Sequence, residues 1–113
     1  MSLPAPDAPL IVFVTVPNHE VGAKLARLLV QEQLAACVNL LPGVRSIYAW
    51  KGEVKDEAEV LCLIKTRAEL FRALKTRITE EHPYDVPEIL GVVPTLANEP
   101  YLGWLAEVTG APL

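Results

Sequence analysis

Two extended segments lie side by side in the middle of this chain, and together they are longer than a domain of its size can shelter. Glu53 to Lys65 alternates, with Val54, Ala58, Val60, Cys62 and Ile64 on one side and Asp56 as the exception. Glu53, Lys55, Glu57 and Glu59 take the other side, joined by Leu61 and Leu63. Ahead of it, Ala36 to Leu41 is apolar, Pro42-Gly43 interrupts, the pattern resumes from Val44 to Trp50, and Lys51-Gly52 makes a turn. At ~3.3 Å per residue the later segment reaches roughly 43 Å. A chain of 113 residues is one domain, with a radius of gyration of ~13 Å and a width of about 35 Å. The hairpin 44–60 is therefore expected to project past its own sheet. A lone two-stranded ribbon is marginal in water. Its Ile47, Tyr48, Trp50, Val54 and Val60 need cover, which another copy of the chain supplies by pairing an exposed edge. A ribbon curling back over its own body is the alternative.

The remaining elements follow from periodicity. Leu10 to Val16, stopped by Pro17, predicts a buried strand. Asn18 is placed to cap a helix running to about Gln33, with Val21, Leu25, Leu28 and Leu29 inward. Thr66-Arg67-Ala68-Glu69 has the form of a capping box. It precedes a second helix carrying Leu70, Phe71, Leu74 and Ile78 and ending near Glu81. A proline-fixed loop, 82–87, leads to a fourth strand from Glu88 to Val93. Asn98 is placed to cap a short last helix with Tyr101, Leu102, Leu105 and Val108 inward. The order β-α-β-β-α-β plus a terminal helix is the ferredoxin-like α+β pattern: an antiparallel sheet with two helices on one face. Residues 1–9, with three prolines, read as a flexible tail before a single domain over 10–113.

Composition excludes several classes of partner. The chain is 51% apolar with a mean hydropathy of +0.29, so it is not disordered. Ten basic against 14 acidic residues give a net charge of −4. That disfavours nucleic acid, which needs a basic surface, and an anionic membrane. No apolar run approaches the ~20 residues of a membrane span. Met1 to Leu10 has no basic residue ahead of an apolar stretch, so no secretory signal is expected. Two cysteines, Cys37 and Cys62, are too few for a disulfide scaffold, which fits a cytoplasmic location. There is no GxSxG, P-loop, GxGxxG or HExxH motif, and the only serines are Ser2 and Ser46. The chain is expected to bind rather than catalyse.

Several motifs resemble one family. Ala35-Ala36-Cys37-Val38-Asn39, Pro42-Gly43, Ser46-Ile47-Tyr48-Ala49-Trp50-Lys51-Gly52-Glu53 and Ile64-Lys65-Thr66 carry the likeness. So do His82-Pro83-Tyr84-Asp85-Val86-Pro87-Glu88-Ile89 and Tyr101-Leu102-Gly103-Trp104. Over about residues 10 to 108 the chain resembles the CutA, or divalent-cation tolerance, family. The resemblance implies a ferredoxin-like subunit, a homotrimer whose long strands pair between subunits, an architecture like that of the PII signalling proteins, and a link to tolerance of copper and other divalent cations. Some relatives carry a second His beside the position of His82 and a Cys near the end of the first strand. Here those positions hold Glu81 and Val14.

Two groups of candidate site residues follow. His82 could bind Cu or Zn, with Glu81 beside it, and a Cys37 thiolate could bind Cu(I) or Zn. The structural alternatives are a His82 that satisfies the last helical carbonyls and a Cys37 that is a small buried hydrophobe. The second group is Tyr48, Trp50, Glu59, Lys65, Tyr84, Asp85 and Glu88, expected to converge at a subunit cleft. Lys65 could receive an anion there. Glu59, Asp85 and Glu88 could take a hard cation such as Mg or Ca. The alternative is an interfacial network of ion pairs and hydrogen bonds. The expected function is a homotrimer binding divalent cations, Cu(II) foremost, with no organic cofactor. The alternatives are a PII-like sensor of an anionic ligand and a stable trimeric scaffold.

Overall fold

A computed structural model describes residues 3–110. Four strands form one antiparallel sheet in the order β2-β3-β1-β4: β1 Pro9–Val16, β2 Cys37–Trp50, β3 Glu53–Arg67 and β4 Leu90–Val92. Three helices accompany it: α1 His19–Gln31, α2 Phe71–Glu81 and α3 Glu99–Val108.

Alternation in β1 and β3 sends one set of side chains to a dry face. Val12, Val14, Val16, Cys62 and Ile64 are buried there against Leu25 and Leu29 of α1 and Leu74 and Ile78 of α2. These are the two helices on one face that the element order predicts. The Asn18 side chain accepts from the Val21 N–H and caps α1 as expected. The other face holds Ile11, Phe13, Thr15, Leu61, Leu63 and Lys65, all half-buried. α3 lies toward this second face. Arg67, at the end of β3, donates from Nε to Thr109 Oγ1 and from Nη2 to the Thr109 carbonyl, satisfying the helix C-terminus.

Several boundaries differ from expectation. Thr66 does not cap a helix: β3 runs on through Arg67, and the Thr66 hydroxyl donates to the Leu34 carbonyl at 2.8 Å. A 3-10 turn over Ala68–Leu70 precedes α2 instead. β4 is three residues long, not six: only Leu90, Gly91 and Val92 meet the ladder of β1, opposite Phe13, Val12 and Ile11, and the rest of the extended stretch has no strand beside it. In α3 only Leu105 is buried, Leu102 and Val108 are half-buried, and Tyr101 is exposed. The Asn98 side chain makes no capping hydrogen bond. Of the segment expected as a tail, residues 1 and 2 lie outside the described residues. The carbonyls of Pro6 and Ala8 accept from the N–H groups of Glu69 and Ala68.

The ribbon projects. β1 pairs β3 only from Val60 to Arg67, so from Glu53 to Glu59 β3 has only β2 beside it. The extents are 48 × 33 × 24 Å and the radius of gyration is 14.7 Å, above the ~13 Å of a compact chain of this length. Ile47 is 64% and Val54 79% exposed.

Pro42-Gly43 is a β-bulge. Leu41 stands opposite Leu61 and Val44 opposite Glu59, so two residues of β2 face one of β3. Gly43 has φ +82°, the left-handed conformation such a bulge assigns to glycine. β2 is an edge strand, where the missing proline N–H costs no ladder bond. The extra residue inverts the alternation of everything after it. Before the bulge, Cys37 and Asn39 share the second face with Lys65 and Leu63. After it, Ser46 and Tyr48 pair with Glu57 and Lys55 and join the face of Glu59.

Candidate functional site: an acidic, aromatic cleft

A cavity of about 540 Å³ opens where the ribbon leaves the sheet. Its walls come from three places. β2 brings Ser46, Ile47, Tyr48 and Trp50; β1 and β3 bring Thr15 and Glu59; the loop after α2 brings Tyr84, Asp85, Val86 and Glu88. Of the seven side chains expected to converge, six do so.

Lys65 is the exception. It stands on the same face as Glu59 but six residues along β3, about 20 Å away. Its ammonium donates to Asn39 Oδ1. The lining therefore contains three carboxylates and no Lys, Arg or His.

His82 builds one wall without lining the cavity. Its N–H closes α2 on the Ile78 carbonyl at 2.8 Å. Its Nδ1 accepts from the Tyr84 N–H at 3.1 Å, so Nε2 carries the proton and donates to the Thr15 carbonyl at 2.8 Å. Both ring nitrogens are thus engaged. The ring packs at 4.6 Å from that of Tyr84. One imidazole thereby ties β1 to the loop and aims Tyr84 at the ribbon.

Tyr84 then donates its hydroxyl to Glu59 Oε2 at 2.8 Å. Burial, then this hydrogen bond, raises the Tyr84 phenol above its ordinary value. Glu59 is only 8% exposed, and this donor offsets part of the cost of enclosing its charge. Tyr48 donates to Glu57, which pushes its phenol up to about 12. Both phenols are neutral at physiological pH.

The other expected ligands are not gathered. Glu81 is exposed and bound to Arg77 at 2.7 Å, which also holds Glu32. Cys37 is in register with Lys65, while His82 contacts Thr15, which is in register with Leu61. Four residues of strand, about 13 Å, separate those positions. Cys62 lies on the opposite face from Cys37, buried, and both thiols are free. Among the described residues no group of three or more His, Cys, Asp or Glu is close enough to hold a metal ion.

Residue types alone did not point to Thr15, Ser46, Ile47 and Val86, nor to Glu57 as the partner of Tyr48. The available signal was Pro42-Gly43, because counting one extra residue there puts Ser46 and Tyr48 opposite the Glu57 and Glu59 side of β3.

The family model described as CutA1 divalent ion tolerance protein matches residues 10–108. The chain belongs to this family. A divalent-cation tolerance protein CutA from Thermus thermophilus is 49% identical over 100 residues, covering 88% of this chain and 97% of that protein. The chloroplastic CutA of Arabidopsis thaliana is 47% identical over 100 residues, again 88% of this chain. The chain spans only 55% of that longer plant relative. The solved structure of the divalent cation tolerance protein Cut A1 from Thermus thermophilus superposes with a TM-score of 0.88 at 48% identity. It covers 90% of this chain and 99% of that one. The CutA resemblance read from the motifs is thus correct, as is the α+β fold expected from the element order.

Proposed function

We propose that this CutA-family chain acts by binding divalent cations in metal tolerance, as a cytoplasmic homotrimer, and that the cleft is its cation site. The observation that carries this reading is the lining. Glu59, Asp85 and Glu88 face the cavity and no basic side chain does. Carboxylate oxygens suit Mg(II) and Ca(II). Cu(II) heads the affinity order for a given nitrogen and oxygen site, so it is the first cation to test. His82 then serves by holding the loop, since its nitrogens are already paired. The three carboxylates are not gathered within one chain, and a second subunit at the cleft or the ion's own waters would complete the coordination. The trimer reading draws on the unpaired outer edge of β2 and the exposed apolar residues of the ribbon. A PII-like site for an anion is disfavoured, because Lys65 lies outside the cleft.

Calorimetric titration of Cu(II), Mg(II) and Ca(II) tests the site. Glu59→Gln and Glu88→Gln are expected to weaken binding. Unchanged binding in both would remove the cleft from the reading. His82→Ala is expected to reduce stability more than intrinsic affinity.

A further inference from the structure

The projecting ribbon is attached to the body at one level. β1 pairs β3 only as far as Val60, so from Glu59 outward the sheet is two strands wide. The β2 bulge falls at the same level, with Leu41 opposite Leu61 and Val44 opposite Glu59. A bulge bends its strand and breaks the ladder locally. Gly43, inside it, is unpacked: a Cβ there would meet nothing within 4 Å. From Leu41 to Ala58 no residue is buried, and Glu59 is the first that is. The core therefore does not fix the direction of the ribbon, and the break in pairing is where it can turn.

One contact crosses this level. Tyr84 donates its hydroxyl to Glu59 Oε2 at 2.8 Å. Among the described residues it is the only side-chain hydrogen bond that joins residues 44–59 to the rest of the chain. The other polar pairs of the ribbon, Arg45 with Asp56, Tyr48 with Glu57 and Lys55 with Glu53, stay within it. The far end of the contact is firmly held. His82 accepts the Tyr84 N–H and donates to the Thr15 carbonyl, and Thr15 lies in β1 between Val14 and Val16, both fully buried. Hydrogen bonds in series thus run from a core strand to the base of the ribbon. The ribbon and the loop after α2 are opposite walls of the cleft, so turning one against the other changes its width. We infer that the ribbon is an arm hinged at the bulge, and that the Tyr84–Glu59 hydrogen bond is the latch that sets its direction and the width of the cleft. The inference does not depend on what the cleft binds.

Spin-label distance measurements on the full chain test the latch. Labels go on Glu53→Cys near the ribbon tip and on Arg72→Cys, exposed on α2, in a Cys37→Ser, Cys62→Val background. The labelled chain is diluted into excess unlabelled chain, so that each measured pair lies within one subunit. Residues 53–59 span ~23 Å, so a turn of about 10° moves the tip about 4 Å. The latched chain is expected to give one narrow distance distribution. Tyr84→Phe keeps the ring but removes the donor, and is expected to shift or broaden the distribution by about 4 Å or more. Glu59→Ala should do the same, and the two together no more than either alone. Glu59→Gln still offers an oxygen to the phenol and should keep the distribution narrow, which separates a latch from a general loosening of the fold. A distribution unchanged by Tyr84→Phe and Glu59→Ala overturns the inference, as does one already broad in the latched chain. Light scattering on the same samples keeps the result apart from the trimer reading. An unchanged distribution at the mass of three chains overturns the latch and leaves the trimer standing. A broadened one, with a mass of one chain throughout, supports the latch and overturns the trimer.

Discussion

His82 shows how one side chain can matter to a site it does not line. Its two nitrogens hold the Thr15 carbonyl and the Tyr84 N–H, both part-buried. Truncation leaves both backbone groups without a partner, at about 1–3 kcal/mol each for a fully buried group. His82→Ala is therefore expected to lower unfolding stability by about 2 kcal/mol, read from the urea midpoint. The loop carrying Tyr84 and Asp85 should also exchange its amides faster. Cys62 makes a different prediction. Burial pushes its thiol from 9.0 up to about 11. The folded state therefore keeps the proton after the unfolded state has lost it. The stability this thiol contributes is fully present below about pH 9, declines as pH rises, and is lost by about pH 11. Cys62→Val should flatten that alkaline decline in urea titrations run from pH 8 to 11. In the native protein Cys62 should resist thiol labelling at pH 8, while the unfolded chain reacts at both cysteines.

At the scale of elements, equal-looking signals had unequal outcomes. Asn18 and Asn98 both precede helices, yet only Asn18 accepts a capping bond, from Val21 N–H at 2.9 Å. Asn18→Ala should cost about 1 kcal/mol in urea unfolding, and Asn98→Ala only a few tenths. Thr66 to Glu69 looked like a capping box, but the hydroxyl it needs is spent on Leu34 and β3 extends past it. Tertiary contacts of this kind override a local motif because the strand already satisfies the same backbone groups. Pro42-Gly43 went the other way. By itself a proline within a strand is compatible with an edge, a bend or a bulge. In the register it is one extra residue, and it turns Ser46 and Tyr48 toward Glu59.

For the whole molecule the decisive feature is a ribbon that leaves its own sheet. Beyond Val60 it is two strands thick, with Ile47 and Val54 mostly in water. Pairing with sister subunits would cover it. Light scattering is expected to report a mass three times the 12.4 kDa of one chain. Ile47→Asp, which puts a charge in that apolar contact, should shift the mass toward that of one chain and lower the melting temperature. A wild-type mass of one chain would defeat the assembly. Much of this was legible without coordinates. Strand and helix periods follow from side-chain geometry, so the alternation of 53–65 and the stripes around Leu25 and Leu74 implied the elements and the dry face. The length of two neighbouring strands against the size of the domain implied the projection. That Glu59, Tyr84 and Glu88 line one cavity, that Lys65 does not, and that both His82 nitrogens are paired required the fold. Each depends on register and on how a loop is tied to a strand 67 residues away, and a period cannot encode a distance between elements.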